Sequence, residues 1–507
     1  MHSMSIADAY ADLIRRGKEA ALLGSCGSIL GWDERVNLPR NGANFRGEQM
    51  ALIAKLTHEM SIAPEVGEAL MAVECSDLVC DPESDAAVNV REIRRGYDRA
   101  VKLPKELVEE LARVTIQAQQ AWQQARQAND FPAFRPWLEK IVKLKREEAQ
   151  AVGYKEHPYD ALLDEYEPGA TAKEIAQVFA GLRAELVPLI ASIAQAKRRP
   201  NADILHRDFP VDLQKVFGTA AAAAIGFDFA SGRLDTTTHP FCSGIGPGDC
   251  RITTRWNPKF FNESFFGILH EAGHGIYEQG LEAEHFGTPR GSFCSLGIHE
   301  SQSRLWENQV GRGRPFWEHF FPRAKQVFID SLRDVTLDDF FFAINDVKPS
   351  FIRVEADEAT YNLHIILRFE LELGLLSGDL PPADMPGAWN EKFRKMFDLT
   401  PADDRQGCLQ DIHWSMGGLG YFPTYTLGNL YAAQFMAQAR KDLPGLEDDF
   451  RHGQFARLKT WLNEKIHRPG RKWRANDLCE KVTGSPLSHA ALISYLRDKY
   501  QPLYGSN

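Results

Sequence analysis

"FFGILHEAGHGIYEQG", residues 265–280, holds two histidines four apart, with a glutamate directly after the first. An α-helix turns about 100° per residue, so His270 and His274 project side by side and can give ring nitrogens to one metal ion. Glu271 lies one position round. From there it can reach a water on the ion without ligating the ion, as a general base must. Phe265, Leu269, Ala272 and Ile276 recur at spacings of four, three and four, a core-facing stripe with the histidines at its margin. Gly273 and Gly275 each cost about 1 kcal/mol relative to alanine inside a helix. Their presence implies close approach by neighbouring backbone or by substrate. Two helical histidines beside a glutamate also arise by chance, but the amphipathic setting favours the metal.

Two histidines are not a catalytic zinc site, which needs a third protein ligand and one position for water. Positions 275–280, "GIYEQG", lack the HxxGxxH extension that would supply a third histidine. A glutamate on a following helix is the other solution. "GIHESQSRLWENQVG", 297–311, reads as a helix with Ile298, Leu305 and Trp306 apolar, and Glu300 leads as the ligand. Glu278, Glu282, Glu284 and Glu307 compete with it, and spacing alone separates them only modestly. His299 reads as a surface histidine slightly more readily than as a support for the site.

Helical periodicity dominates the rest of the 507-residue chain. Residues 1–165 are long, charged helices, which we read as an arm or lid over a catalytic portion, 166–507, within a single domain 1–507. "LPKELVEELARVTIQAQQAWQQARQ", 103–127, starts with Pro104 at its first turn. Thr171 and Glu174 form a capping box ahead of a helix. Between 230 and 257, "GRLDTTTHPF" and "DCRITTRW" flank "SGIGPGD", and a small antiparallel sheet is expected there. "SMGGLGYFPTYTLG", 415–428, reads as a glycine-rich loop. No internal repeat or low-complexity linker stands out.

Composition narrows the function classes. A formal charge of −10 argues against a general nucleic-acid binder. Eight cysteines without a CxxC pair argue against a zinc knuckle and suit reduced thiols. The opening residues lack an apolar core of signal-peptide length, and no run of about 18 apolar residues is apparent. A cytoplasmic protein without a membrane partner is therefore expected.

HEAGH followed by HESQSR resembles the carboxypeptidase Taq family of HExxH metallocarboxypeptidases. Further short motifs match in order: "HPF" at 239–241, "DCRIT" at 249–253, "IRVEAD" at 352–357, "GCLQDIHW" at 407–414, and the opening segment "LGWDERVNLPRNGANFRGEQM". The resemblance implies a mainly helical, gluzincin-like fold with a deep groove, a homodimer, and zinc or cobalt at the site. It also implies release of C-terminal residues with broad specificity from peptides carrying a free C-terminus. It supports His270, His274 and Glu300 as ligands and Glu271 as base.

A carboxypeptidase must hold a free carboxylate one residue beyond the scissile bond, and a guanidinium fork matches its two oxygens. Arg353 is the first candidate and Arg251 the second, although either can instead pair with a structural carboxylate. His239, near a strand edge, can contact the scissile carbonyl or the last residues of the peptide. His413 and Tyr421, with Tyr425 as second choice, suit stabilisation of the oxyanion. The flexible loop would let the tyrosine swing in. Gln410, Asp411 and Trp414 are candidates to orient His413 or a ligand histidine. The rivals are a helical zinc oligoendopeptidase with the same metal site and a helical binding protein with a structural metal.

Overall fold

The computed structural model describes residues 5–505. The 265–280 stretch lies in a helix, Phe261–Gly280, that buries Phe265, Leu269, Ala272 and Ile276, so the predicted stripe is the packed face. The two glycines explain how tightly it packs. A Cβ on Gly273 would stand 2.6 Å from the Gln302 carbonyl oxygen, and one on Gly275 would stand 2.4 Å from the Phe227 ring. One glycine lets the backbone of the next helix close in, and the other does the same for the layer beside the sheet. Any larger residue would push these elements apart.

That next helix, Leu296–Arg304, starts where Ser295 accepts a hydrogen bond from the Ile298 N–H at 3.1 Å. It does not run on as α-helix to 311. Leu305–Val310 widens into a π-helical turn. Such turns re-aim side chains by one position, and they recur at functional sites.

Three strands precede the HEAGH helix: β1 (Gly232–Thr236), β2 (Cys242–Gly246) and β3 (Asp249–Thr254), in the order β1-β3-β2. β2 and β3 are antiparallel, but β1 and β3 are parallel, with Gly232 opposite Cys250 and Thr236 opposite Thr254. The sheet is therefore mixed, not antiparallel as expected. The chain reverses between β1 and β2 and again between β2 and β3, so β1 and β3 run the same way. Placing β3 in the centre makes them neighbours.

Two hydrophobic cores appear. A small one joins Ala9, Leu13, Val66, Ala69, Leu70, Val73 and Val90. The helices Lys105–Ala128 and Phe131–Val152 pack into the main core with the HEAGH helix. The N-terminal helix, Ile6–Val36, lies along the sheet: Thr237 donates to the Arg35 carbonyl at 3.1 Å, and Trp32 lies beneath Arg233 and Arg251. The Thr171–Glu174 capping box is formed. The helix it starts, Ala172–Gln195, is long and apolar enough to cross a membrane by length and composition. Its Ile175, Phe179, Leu182, Leu186 and Ile193 instead fill the main core. The glycine-rich stretch is a loop only as far as Phe422. Pro423, whose fixed φ suits a first turn, opens the helix Pro423–Asp442, so Tyr425 is helical.

Candidate active site

His270, His274 and Glu300 offer one ligand atom each, all within 4.8 Å of one another. Glu300 Oε2 stands 3.7 Å from His270 Nε2 and 3.4 Å from His274 Nε2. The opposite ring nitrogens point outward to partners. His270 Nδ1 meets Glu307 Oε2 at 2.9 Å, and His274 Nδ1 meets His299 Nδ1 at 2.5 Å. His299 Nε2 continues to Glu278 Oε1 at 2.8 Å. With each Nδ1–H donating outward, both Nε2 lone pairs converge on the carboxylate. Two imidazole nitrogens and one carboxylate oxygen are the His₂Glu donor set of catalytic zinc sites, and the outward hydrogen bonds fix the tautomers that ligation needs.

The two histidines shift in opposite directions: on His270 burial is outweighed by the Glu300 charge and the Glu307 hydrogen bond, which raise its pKa. Burial pushes His274 down to about 3, so it is neutral. Burial opposes the charge on Glu300, but Arg304 and the two histidines outweigh it and hold the carboxyl well below its usual range. Arg304 Nε donates to Glu300 Oε1 at 2.7 Å, leaving Oε2 for the histidine side. Glu271 is buried, and its pKa rises to about 7, chiefly through loss of hydration. Such a value suits a group that both takes and returns a proton.

Several supporting residues were misread or missed in the sequence. His299 is not a surface histidine. It is packed between the Tyr277 and Phe293 rings and carries the second hydrogen bond behind His274. Glu307, weighed as a competing ligand, stands against His270 instead, and Glu278 stands against His299, which in turn meets His274. The π-helical turn carries Glu307 to His270. Arg304 was missed, although its i+4 spacing from Glu300 is a legible ion-pair signal. Glu282 and Glu284 fall in a separate group with His285.

A second cluster gathers Arg353, His413, Tyr421 and Tyr425. His413 Nε2 stands 3.3 Å from the Tyr425 hydroxyl, and the His413 and Tyr421 rings are 5.5 Å apart. The Arg353 guanidinium lies 5.2 Å over the Tyr425 ring. Burial pushes His413 down to about 4, so it too is neutral. Tyr361 joins the two clusters: Arg304 lies over its ring at 4.7 Å, and its hydroxyl accepts from Arg353 Nη1 at 2.9 Å.

Asp411 does not chiefly orient His413, from which it stands 4.0 Å away. It accepts from Arg353 Nε at 2.9 Å and from Arg368 Nε at 2.6 Å. Gln410 accepts the Arg353 backbone N–H at 2.9 Å, and Trp414 donates to Glu372 at 2.8 Å. Arg353, Arg368 and Asp411 are all buried. Two cations thus share one anion, and the triad carries one unbalanced positive charge. A guanidinium has five N–H groups. In Arg353 the fork toward Asp411 and one N–H to Tyr361 engage three of them, leaving two. Arg251 lies on β3. It is paired with Asp249 through two 2.8 Å contacts on its own strand and lies 4.4 Å over Trp32. His239 is exposed on the link between β1 and β2.

A family model described as carboxypeptidase Taq (M32) metallopeptidase matches residues 12–500. Thermostable carboxypeptidase 1 of Thermus thermophilus is 49% identical, over 98% of this chain and 99% of that protein. Carboxypeptidase 1 of Bacillus subtilis is 37% identical, over 94% and 95%. Among solved structures, an M32 carboxypeptidase from Deinococcus radiodurans R1 superposes with a TM-score of 0.95 at 41% identity, covering 98% of this chain and 99% of that one.

Proposed function

The chain belongs to the carboxypeptidase Taq (M32) metallopeptidases and is a metal-dependent carboxypeptidase; on that premise we propose which of its residues do the chemistry. His270, His274 and Glu300 hold the ion, zinc by the donor set, with cobalt compatible with the same atoms. When bound, the ion supplies a Lewis acid that acidifies water toward a pKa of about 7 and polarises the peptide carbonyl. Glu271 takes the proton of the attacking water and returns it to the leaving amine. Neutral His413 and the Tyr421 hydroxyl donate to the oxygen that becomes negative, with Tyr425 behind His413. The two spare N–H groups of Arg353 take the terminal carboxylate. His239 touches the last residues of the peptide from the strand side. Arg251 remains the second candidate for that carboxylate, its guanidinium now paired with Asp249.

The observation that carries this proposal is the unbalanced buried triad of Arg353, Arg368 and Asp411 beside a neutral histidine and two tyrosines. A carboxylate entering there completes a two-to-two charge balance, which an internal peptide segment cannot do. The experiment is a matched pair of peptides, one with a free C-terminus and one amidated, with products followed by mass spectrometry. The free peptide should lose residues singly from its C-terminus, and a chelator should stop this. The amidated peptide should be cleaved at least about 100-fold more slowly, the scale of one desolvated charge pair. Equal internal cleavage of both would favour an oligoendopeptidase.

We extend the proposal to a homodimer. The helix Ala43–Ser61 has no buried residue and exposes Phe45 at 66% and Leu52 at 58%. An apolar face of this kind favours a partner surface, and a second copy supplies one without another gene product. Phe45→Glu/Leu52→Glu should shift the sedimentation of the protein toward monomer. An unchanged dimer would move the interface elsewhere. A cytoplasmic location fits the eight unpaired cysteines, and cell fractionation checks it.

A further inference from the structure

Glu372 lies on the helix Tyr361–Ser377 and is fully buried. Its two carboxylate oxygens accept three hydrogen bonds. Oε1 takes the Trp414 indole N–H at 2.8 Å, and Oε2 takes the Tyr159 hydroxyl at 2.8 Å and the Gly420 backbone N–H at 3.1 Å. Trp414 directly follows His413, and Gly420 directly precedes Tyr421. One carboxylate therefore grips both arms of the glycine-rich loop, each one residue from a side chain assigned to the oxyanion. Two other residues of the same helix, eleven and four positions before Glu372, serve neighbouring parts of the site: Tyr361 holds Arg353, and Arg368 holds Asp411 ahead of the loop.

We propose that Glu372 is the positioning residue that sets His413 and Tyr421 at their working separation before substrate arrives. This rests on the roles given above to those two side chains. It also changes the expectation of a swinging loop: a loop clasped at both arms is held ready. All three partners donate, so only a carboxylate satisfies them together. A glutamine would turn one oxygen into an N–H group facing another donor, and either the Trp414 arm or the Gly420 arm would be released. Burial pushes the Glu372 pKa up to about 7, against the three hydrogen bonds and the Arg368 charge, which pull it down.

The test is a mutant cycle on a free-carboxyl peptide. Glu372→Gln should lower kcat about 30-fold, the scale of a sub-ångström misplacement, with KM within about 2-fold and metal content unchanged. The same substitution in a His413→Ala/Tyr421→Phe background should cost less than about 3-fold further, because the groups it positions are gone. A general structural role would cost the same factor in both backgrounds, and that result overturns the proposal. If His413→Ala/Tyr421→Phe itself turns over at the unmodified rate, the oxyanion roles fall and this inference with them. If that variant is slow while Glu372→Gln is not, the clasp alone falls. Should Glu372→Gln not fold, Trp414→Phe removes the indole donor from the other side and must show the same dependence on background.

Discussion

Glu271→Gln is expected to lower kcat by about 10³–10⁴-fold while the protein keeps its metal, the upper part of the range for losing a positioned general base. Glutamine has nearly the volume of glutamate, and position 271 is buried, so the helix should not notice the change. What disappears is the proton acceptor. Burial raises Glu271 to about 7, with His270 pulling its pKa down and Glu300 and Glu307 pushing it up. Metal retention follows from the hydrogen bonds behind the ligands, none of which involves Glu271: Glu307 braces His270, His299 braces His274, and Arg304 braces Glu300. Glu300→Ala is the control, because it removes the proposed third ligand and should lose the metal together with activity. Elemental analysis after gel filtration, alongside initial rates on a free-carboxyl peptide, reads both. Turnover within tenfold of the unmodified enzyme in Glu271→Gln would remove the glutamate from the proton path.

The part of this site that helical geometry dictates is legible in the sequence. His270, Glu271 and His274 sit on one element, and their mutual placement follows from the turn per residue. The third donor is a tertiary matter. Five carboxylates downstream of His274 had similar claims by spacing, and what decides their approach is the contact of Gly273 with the Gln302 backbone. The glycine was visible, but its partner was not. His299 was misjudged for the same reason, since its burial is set by Tyr277 from the helix before it and Phe293 from the loop between. Composition pointed to a small sheet over 230–257 but took "SGIGPGD" as the separator of two stretches, whereas its residues 243–246 belong to β2; nor does a strand's side-chain pattern report which edge is paired, so the central place of β3 was not visible. Asp411 shows a different limit. The sequence places it two residues from His413, but a buried arginine on a distant helix, Arg368, claims it.

Arg353→Met should lower kcat/KM for free-carboxyl peptides by about 10²–10³-fold, corresponding to about 3–4 kcal/mol for a charge-assisted, desolvated fork. The same substitution should change the slow cleavage of the amidated peptide by less than about 3-fold. The fold should tolerate it for an electrostatic reason. Arg353 and Arg368 share Asp411, and removing Arg353 leaves one cation paired with one anion. That residual pair is balanced, whereas removing Asp411 would strand two buried cations and is expected to unfold the region. Arg368 is the arginine whose pKa is lowered, by burial first and by the Arg353 charge among the further causes, so losing Arg353 also relieves Arg368. Methionine's polarisable thioether can take the place of the guanidinium over the Tyr425 and Phe422 rings. The discriminating quantity is the ratio of free to amidated rates. If Arg353 holds the terminal carboxylate, the variant collapses that ratio toward one while its melting temperature stays near that of the unmodified enzyme. Equal losses on both peptides would instead mean that Arg353 only shapes the pocket, and the cation for the carboxylate would have to be sought elsewhere.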